Sequence, residues 1–137
     1  MRLVLDRDPN LLLVRSYDHG SVQIGAVRLT HSFLVTRERL QRDWHARDLA
    51  ALGAEEVAAV LAFAPKIVLL GVIASSPLTP ALLRRQLNER GIALEALELG
   101  AACRTYNVLA QENREVVLGV ILDGAGSAPE EDTGRKD

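Results

Sequence analysis

The side chains best suited to chemistry in this sequence lie together, shortly before the last apolar run of the chain. Cys103, Arg104, Thr105, Tyr106 and Asn107 are consecutive, and Cys103 is the single cysteine. A thiol, a guanidinium, hydroxyl groups and an amide so close together have two explanations. They form either a pocket for an anion or a reaction, or a polar brace inside the fold.

The pocket hypothesis depends on where the predicted strands end. In an open α/β sheet, ligands bind outside the carboxyl ends of the strands. Two such ends, after Ile73 and at Gly100, would bring a serine-containing loop to the start of the helix that carries Arg104. The unpaired N–H groups of a helix start and an arginine can together hold a carboxylate or phosphate. The candidate pocket comprises Ser75, Ser76, Cys103, Arg104 and Thr105.

Cys103 is the candidate nucleophile in this pocket, because a helix start and a neighbouring arginine both lower a thiol pKa. A catalytic cysteine also needs a base. The three histidines, His19, His31 and His45, all lie in the first half of the chain, and nothing in the sequence brings one to Cys103. The favoured interpretation is therefore a small, packed side chain, and no catalytic residue is predicted.

The competing hypothesis is that the polar cluster is structural. Arg104 can pair with Glu98, Glu112 or Glu115, and Thr105 and Asn107 can cap and brace loop backbone. On this interpretation the polar anchors are Arg104, Tyr106, Asn107 and Glu112.

The sequence predicts no cofactor and no metal. It contains neither of the glycine-rich phosphate-binding motifs, G-x-x-x-x-G-K and G-x-G-x-x-G,. The histidines are too widely spaced for a metal site, and no paired cysteine or carboxylate motif accompanies them.

The elements that must position these residues fall into two parts. Val22/Ile24 and Val27/Leu29 alternate with polar residues around Gly25-Ala26, which predicts an antiparallel β-hairpin, and Ser32–Thr36 predicts another strand,. Strands and helices then alternate. The predicted elements, in chain order, are a helix from Ala54 to Pro65, a buried strand over 66–73, a helix from Pro80 to Gly91, a strand over 92–99, the polar helix, and a last strand over 115–122,. The strand–helix–strand order favours a right-handed βαβ crossover.

Bulk properties favour one soluble domain. The chain has 137 residues, which suits a single domain over 1–123, and residues 124–137 are predicted to form a disordered tail,. With a net charge of −2 and charges of both signs, the sequence predicts no basic surface for binding nucleic acid,. No apolar run reaches the ~20 residues of a membrane span. With one cysteine and no leader-like start, we expect a cytoplasmic protein.

The stretch A-A-C-R-T-Y-N-V-L, residues 101–109, followed by Glu112, Arg114 and an apolar strand, resembles the signature of a known family. Trp44, the 17–20 turn and the hairpin from Gly20 also match. The family is a domain of unknown function of bacteria and archaea that includes a mitochondrial NADH dehydrogenase (complex I) assembly factor. The resemblance implies a three-layer α/β fold, with a mixed central sheet, crossover helices and an added antiparallel β layer. It also implies a non-catalytic role in protein assembly.

The sequence departs from that family at both predicted strand ends. Gly71-Val72-Ile73 stands where Gly-Thr-Gly is common, Leu97-Glu98-Leu99 where Met-Asp-Thr is common, and Asn113 replaces a glycine. The aliphatic replacements weaken a small-molecule site more than they weaken the fold. The favoured function is therefore a non-catalytic, assembly-factor-like module with a protein partner, and self-association is possible. The alternative is a ligand-binding or enzymatic domain centred on Arg104 and Cys103.

Overall fold

A computed structural model describes residues 10–49, 52–73 and 81–122. Within those ranges the chain forms eight strands and three helices. In chain order they are β1 (Val14–Tyr17), β2 (Val22–Ile24), β3 (Val27–Leu29), β4 (Phe33–Val35), β5 (Leu40–Gln41), α1 (Ala54–Leu61), β6 (Ile67–Val72), α2 (Ala81–Glu89), β7 (Ala93–Glu98), α3 (Leu99–Gln111) and β8 (Val116–Ile121).

The central sheet is mixed, and its strand order is β5-β4-β8-β6-β7. β6 pairs in parallel with β7 on one side and with β8 on the other, while β4 is antiparallel to β8. The apolar runs of β6 and β8 are buried almost throughout, because layers cover both faces of the sheet. This confirms the α/β class that the sequence pattern predicted and the mixed central sheet that the family resemblance implied.

A second sheet is formed by β1, β2 and β3, which are antiparallel in that order. The predicted hairpin is its β2–β3 unit, and Gly25 makes the turn with φ +57, a left-handed conformation that glycine adopts without strain. β1 adds the third strand, so the predicted antiparallel β layer is present.

Two hydrophobic clusters lie on opposite faces of the central sheet. One contains Trp44, Val57, Leu83 and the sheet residues beneath them, under α1 and α2. The other contains the buried side of α3 and the apolar face of the β1-β2-β3 sheet. The fold therefore has three layers, in which α3 and the small sheet share the third.

Trp44 belongs to the α1–α2 side. Its ring is buried, and its indole N–H donates to the Glu56 carbonyl at 3.1 Å. A Cβ on Gly119 of β8 would lie 3.1 Å from the ring, so the ring packs directly over that glycine. Trp44 fills the core at this position.

Some predicted boundaries shift. The Pro65-ended helix stops at Leu61, and the short strand β5 was not predicted. The start of the second predicted helix and the tail at 124–137 lie outside the described residues. Gly91 follows α2 with φ +70, as predicted for a helix-ending glycine. Over the described ranges, no helix is long and apolar enough to cross a membrane.

Candidate functional site

The start of α3 is capped by the chain's own carboxylate. Glu98 has extended backbone, and its two carboxylate oxygens accept from the N–H groups of Gly100 at 3.0 Å and Ala101 at 3.2 Å. These hydrogen bonds, helped by the nearby charges of Arg104 and His19, lower the pKa of Glu98,. Two of the donors that the pocket hypothesis assigned to a ligand are therefore used inside the protein.

Arg104 folds back over the first turn of α3 towards the small sheet. Its Nη1 donates to the Tyr17 hydroxyl at 3.1 Å, and the arginine side of this contact is exposed. A Cβ on Gly100 would lie 3.1 Å from that Nη1 and 2.5 Å from the Tyr17 oxygen. The glycine is thus needed for the Tyr17–Arg104 contact, which ties β1 to α3.

Cys103 points the other way, into the core. Its side chain is fully buried, and burial raises the pKa of the thiol to about 12, with Glu98 adding to the rise and Arg104 opposing it. Desolvation therefore outweighs the arginine effect that motivated the nucleophile hypothesis. At neutral pH the thiol stays protonated, and thiols in that state are poor nucleophiles.

The proposed pocket residues on α3 do not face one space. Successive residues of a helix are rotated by about 100°, so Cys103 turns inward while Arg104 turns towards Tyr17. Thr105, half-buried, lies on the opposite flank from Asn107. Ser75 and Ser76, the other two pocket residues, lie outside the described residues.

Tyr106 and Asn107 hold the segment that enters β1. The Asn107 amide accepts from the Val14 N–H and donates to the Val14 carbonyl, both at 2.9 Å. The Tyr106 hydroxyl donates to the Leu12 carbonyl at 2.6 Å. The side-chain amide of Asn107 thus satisfies both backbone groups of Val14, as the backbone of a neighbouring strand would. Sequence reasoning named both residues as anchors, but it gave no sign of a partner more than 90 positions away.

Glu112, the fourth predicted anchor, is the C-terminal cap residue of α3. Its carboxylate lies 3.8 Å from the Arg114 guanidinium, and both side chains are more than half exposed. An exposed ion pair of this kind contributes little to stability.

Arg37 has a role that sequence reasoning missed. Its Nη2 donates to Asn113 at 3.1 Å, its carbonyl accepts from the Leu12 N–H, and its buried Nε has no hydrogen-bond acceptor among the described residues. Asn113 is in the left-handed region at φ +64, which asparagine tolerates. No local signal in the sequence indicates the contact between Arg37 and Asn113, which are 76 positions apart.

A cavity of about 400 Å³ opens away from Arg104 and Cys103, at the amino ends of β6 and β8. It lies between the β4–β5 turn, the loop after α1 and the start of β8. Arg39 stacks on Phe63 there, 5.5 Å from its ring centroid. Two arginines, Arg37 and Arg39, and two glutamates, Glu38 and Glu115, line the cavity. Their charges balance, so the lining selects neither an anion nor a cation.

The open edge of the central sheet is the second feature that sequence reasoning missed. β7 pairs with β6 on one side, and no described strand pairs with the other side. All six of its residues are exposed or half-buried. The opposite edge, β5, has only two residues. Strand patterning located β7 along the chain, but it did not reveal β7's position in the sheet.

The three-layer arrangement, with α3 capped by Glu98 and hydrogen-bonded to β1 by Asn107, makes this a mixed α/β domain. It is similar to the solution NMR structure of a protein from Bordetella pertussis that is described as a Mth938-like domain. That structure shares 26% sequence identity and a TM-score of 0.73 with this chain, over 90% of this chain and 94% of that one.

The chain belongs to the family described as protein of unknown function DUF498/DUF598, whose pattern matches residues 14–121. The NMR structure of a protein from Xanthomonas campestris is similar to it at 30% identity, with a TM-score of 0.76, over 95% of this chain and all of that one. A crystal structure from Bordetella parapertussis shares 29% identity, with a TM-score of 0.74, over 82% and 97%. No curated protein matches significantly. The resemblance drawn from the sequence is confirmed at the level of the family.

Proposed function

We propose that this protein is a non-catalytic protein-binding module of the assembly-factor kind, and that β7 is the strand its partner engages. One observation carries the proposal. β7 is a six-residue strand at the edge of a buried sheet, and its outer side is unpaired within the described part of the chain. Such an edge presents a row of backbone donors and acceptors that an extended segment of another chain can pair with.

The contrast between the two edges supports this proposal. Proteins commonly protect their edges by shortening the edge strand, and β5, with two residues, has that form. β7 is as long as the central strands β6 and β8. A full-length open edge that is retained beside a shortened one is typical of a binding surface.

The carboxyl end of β7 leads directly into the polar cluster at the start of α3. Glu98 is the last residue of β7, and Tyr17 and Arg104 form their exposed contact beside it. Tyrosine and arginine are enriched among the residues that dominate the energy of protein interfaces. The cluster therefore extends the proposed binding surface beyond the strand.

The chemistry of the polar helix supports a binding role over catalysis. Cys103 is buried and protonated, and the polar groups of Tyr106 and Asn107 are hydrogen-bonded to the backbone of residues 12 and 14. A role in assembling respiratory complexes is an extension of the proposal that rests on the family resemblance alone. A cytoplasmic location is an expectation from the single cysteine,.

Site-specific photo-crosslinking in living cells tests the proposal. A photoreactive phenylalanine analogue replaces Ala96, which is exposed on β7, or Ala58, which is exposed on α1 and serves as the matched control. We expect one discrete adduct from position 96 and none of that mass from position 58. Mass spectrometry should map the adduct to an extended segment of a partner protein. No adduct specific to position 96 would overturn the proposal.

A further inference from the structure

The pattern of side chains along β7 restricts which segment can pair with it. The register with β6 places Glu95 opposite Leu69 and Leu97 opposite Gly71. Leu69 and Leu97 belong to the cluster on the α3 side, whereas Leu94 packs on the α1–α2 side. Because side chains alternate along a strand, Ala93, Glu95 and Leu97 face the α3 side.

Glu95 carries a charge on that face that no described side chain neutralises. It is exposed and forms no ion pair with any described residue. The other carboxylate of the strand, on Glu98, is turned to the first N–H groups of α3. A strand added beside β7 would place one of its own side chains directly against Glu95, where an opposite charge stabilises the pair and a like charge opposes it.

The residues two before and two after Glu95 on β7 are aliphatic and face the same side. Ala93 is exposed and Leu97 is half-buried,. An incoming strand would therefore meet an aliphatic side chain on either side of one carboxylate.

A second copy of this chain fits the edge poorly. Antiparallel pairing about a two-fold axis normal to the sheet brings residues of the same face together. In the register centred on Glu95, the two Glu95 side chains would be directly opposed. In the registers centred on Leu94 or Ala96 they would be diagonal neighbours, about 7–8 Å apart. Each of these registers places like charges together.

We infer that the partner's segment is an extended strand with a lysine or arginine facing Glu95 and aliphatic side chains two residues before and after it. This inference rests on the proposed function. It adds the chemistry of recognition: main-chain pairing supplies the attachment, and one charge pair among aliphatic contacts sets the register.

The test uses synthetic peptides and the folded protein. The acetylated, amidated peptide Thr-Val-Thr-Lys-Thr-Val-Thr reads the same in both directions, so it fits either strand polarity. Its companion carries Glu in place of Lys. Titrations are followed by ¹H–¹⁵N NMR at low ionic strength, where charge pairs are least screened. We expect the Lys peptide to shift the amide signals of residues 93–98 and to bind about fivefold more tightly than the Glu peptide.

The Glu95→Lys variant should reverse this preference, whereas Glu38→Lys, the same charge change at the β4–β5 turn, should leave it unchanged. Equal binding of the two peptides, an unreversed preference in Glu95→Lys, or shifts confined to residues outside β7 would overturn the inference. A crosslink from position 96 to a segment without a basic residue would overturn it too, while leaving the proposed function standing.

Discussion

At the scale of single residues, the polar groups of α3 divide into those that hold the fold and those that face solvent. Asn107 and Tyr106 are buried and bonded to backbone, whereas Arg104 is exposed and bonded to Tyr17. Chemical type alone does not separate these roles. Their angular positions on the helix do, since a rotation of about 100° per residue sends neighbours to different surroundings.

Replacing Asn107 with alanine should destabilise the protein by about 2–4 kcal/mol, because a buried N–H and a buried carbonyl of Val14 both lose their partner,. Urea unfolding followed by circular dichroism measures the change. Val108→Ala, at the neighbouring position where the side chain is 54% exposed, is the control and should change stability by less than about 0.5 kcal/mol. Equal effects of the two substitutions would contradict this role for Asn107.

Cys103 should make the protein less stable at high pH. The pKa of its thiol rises from an ordinary 9.0 to about 12 on folding, so above pH 9 the unfolded chain loses a proton that the folded chain retains. The free energy of unfolding then falls as pH rises, by about 1 kcal/mol at pH 10 relative to pH 8 from this group. At neutral pH and below, where the thiol is protonated in both states, the group contributes no pH dependence.

Comparing urea unfolding at pH 8 and pH 10 for wild type and Cys103→Ala isolates this effect, since the other titrating groups are common to both. The wild type should lose more stability than the variant between the two pH values. An identical loss would show that the thiol titrates as it does in the unfolded chain.

At the scale of elements, α3 is fixed at its start by Glu98 and along its length by its contacts with β1. Glu98 is both the last residue of β7 and the N-terminal cap of α3, which begins at Leu99 without an intervening loop. This abrupt junction places the positive end of the helix dipole against a carboxylate, which stabilises both.

Glu98→Gln should weaken this junction by about 1 kcal/mol, measured by urea unfolding at pH 7. Folding lowers the pKa of Glu98, so its stabilisation is present above the ordinary value near 4.5 and is lost as pH falls below it. The difference between wild type and variant should therefore shrink in acid. Glu95→Gln, on the same strand without a cap bond, is the matched control. A difference that stays constant down to acid pH would contradict a charge-based cap.

At the scale of the whole molecule, the central sheet is shared by both hydrophobic clusters. Gly119 of β8 contacts Trp44, Leu34 and Leu70 on one face, while its neighbours Leu118 and Val120 belong to the cluster on the other. Both clusters pack on the central sheet, so opening that sheet would expose apolar side chains of both.

We therefore expect the protein to unfold in one cooperative step. Trp44 fluorescence reports the α1–α2 side, because Trp44 is the single tryptophan, and the ¹H–¹⁵N NMR signals of α3 report the other side. The two transitions in urea should coincide within error, as two-state unfolding requires. Separate midpoints would show that the layers are independent units.

How much of the structure the sequence predicts depends on whether a feature is set by residues close together along the chain. The sequence determined the elements whose signals are local: the hairpin around Gly25, the buried strands β6 and β8, the helical periodicity of α1 and α2, and the glycine that ends α2. These follow from backbone preferences and from apolar periods within a few neighbouring residues. The family signature at 101–109 added the three-layer arrangement, and the structure confirms it.

Tertiary structure decided the relations between distant residues. It placed β8 between β4 and β6 and left β7 at the edge, a position that only Glu95 and Glu98 in this otherwise apolar strand indicated,. It bonded Asn107 to Val14, turned Cys103 into the core and used the first N–H groups of α3 for Glu98. Which side chain meets which depends on strand order and helix rotation, and these are set by packing of the whole chain. A residue's own identity and its close neighbours carry only the local part of that information.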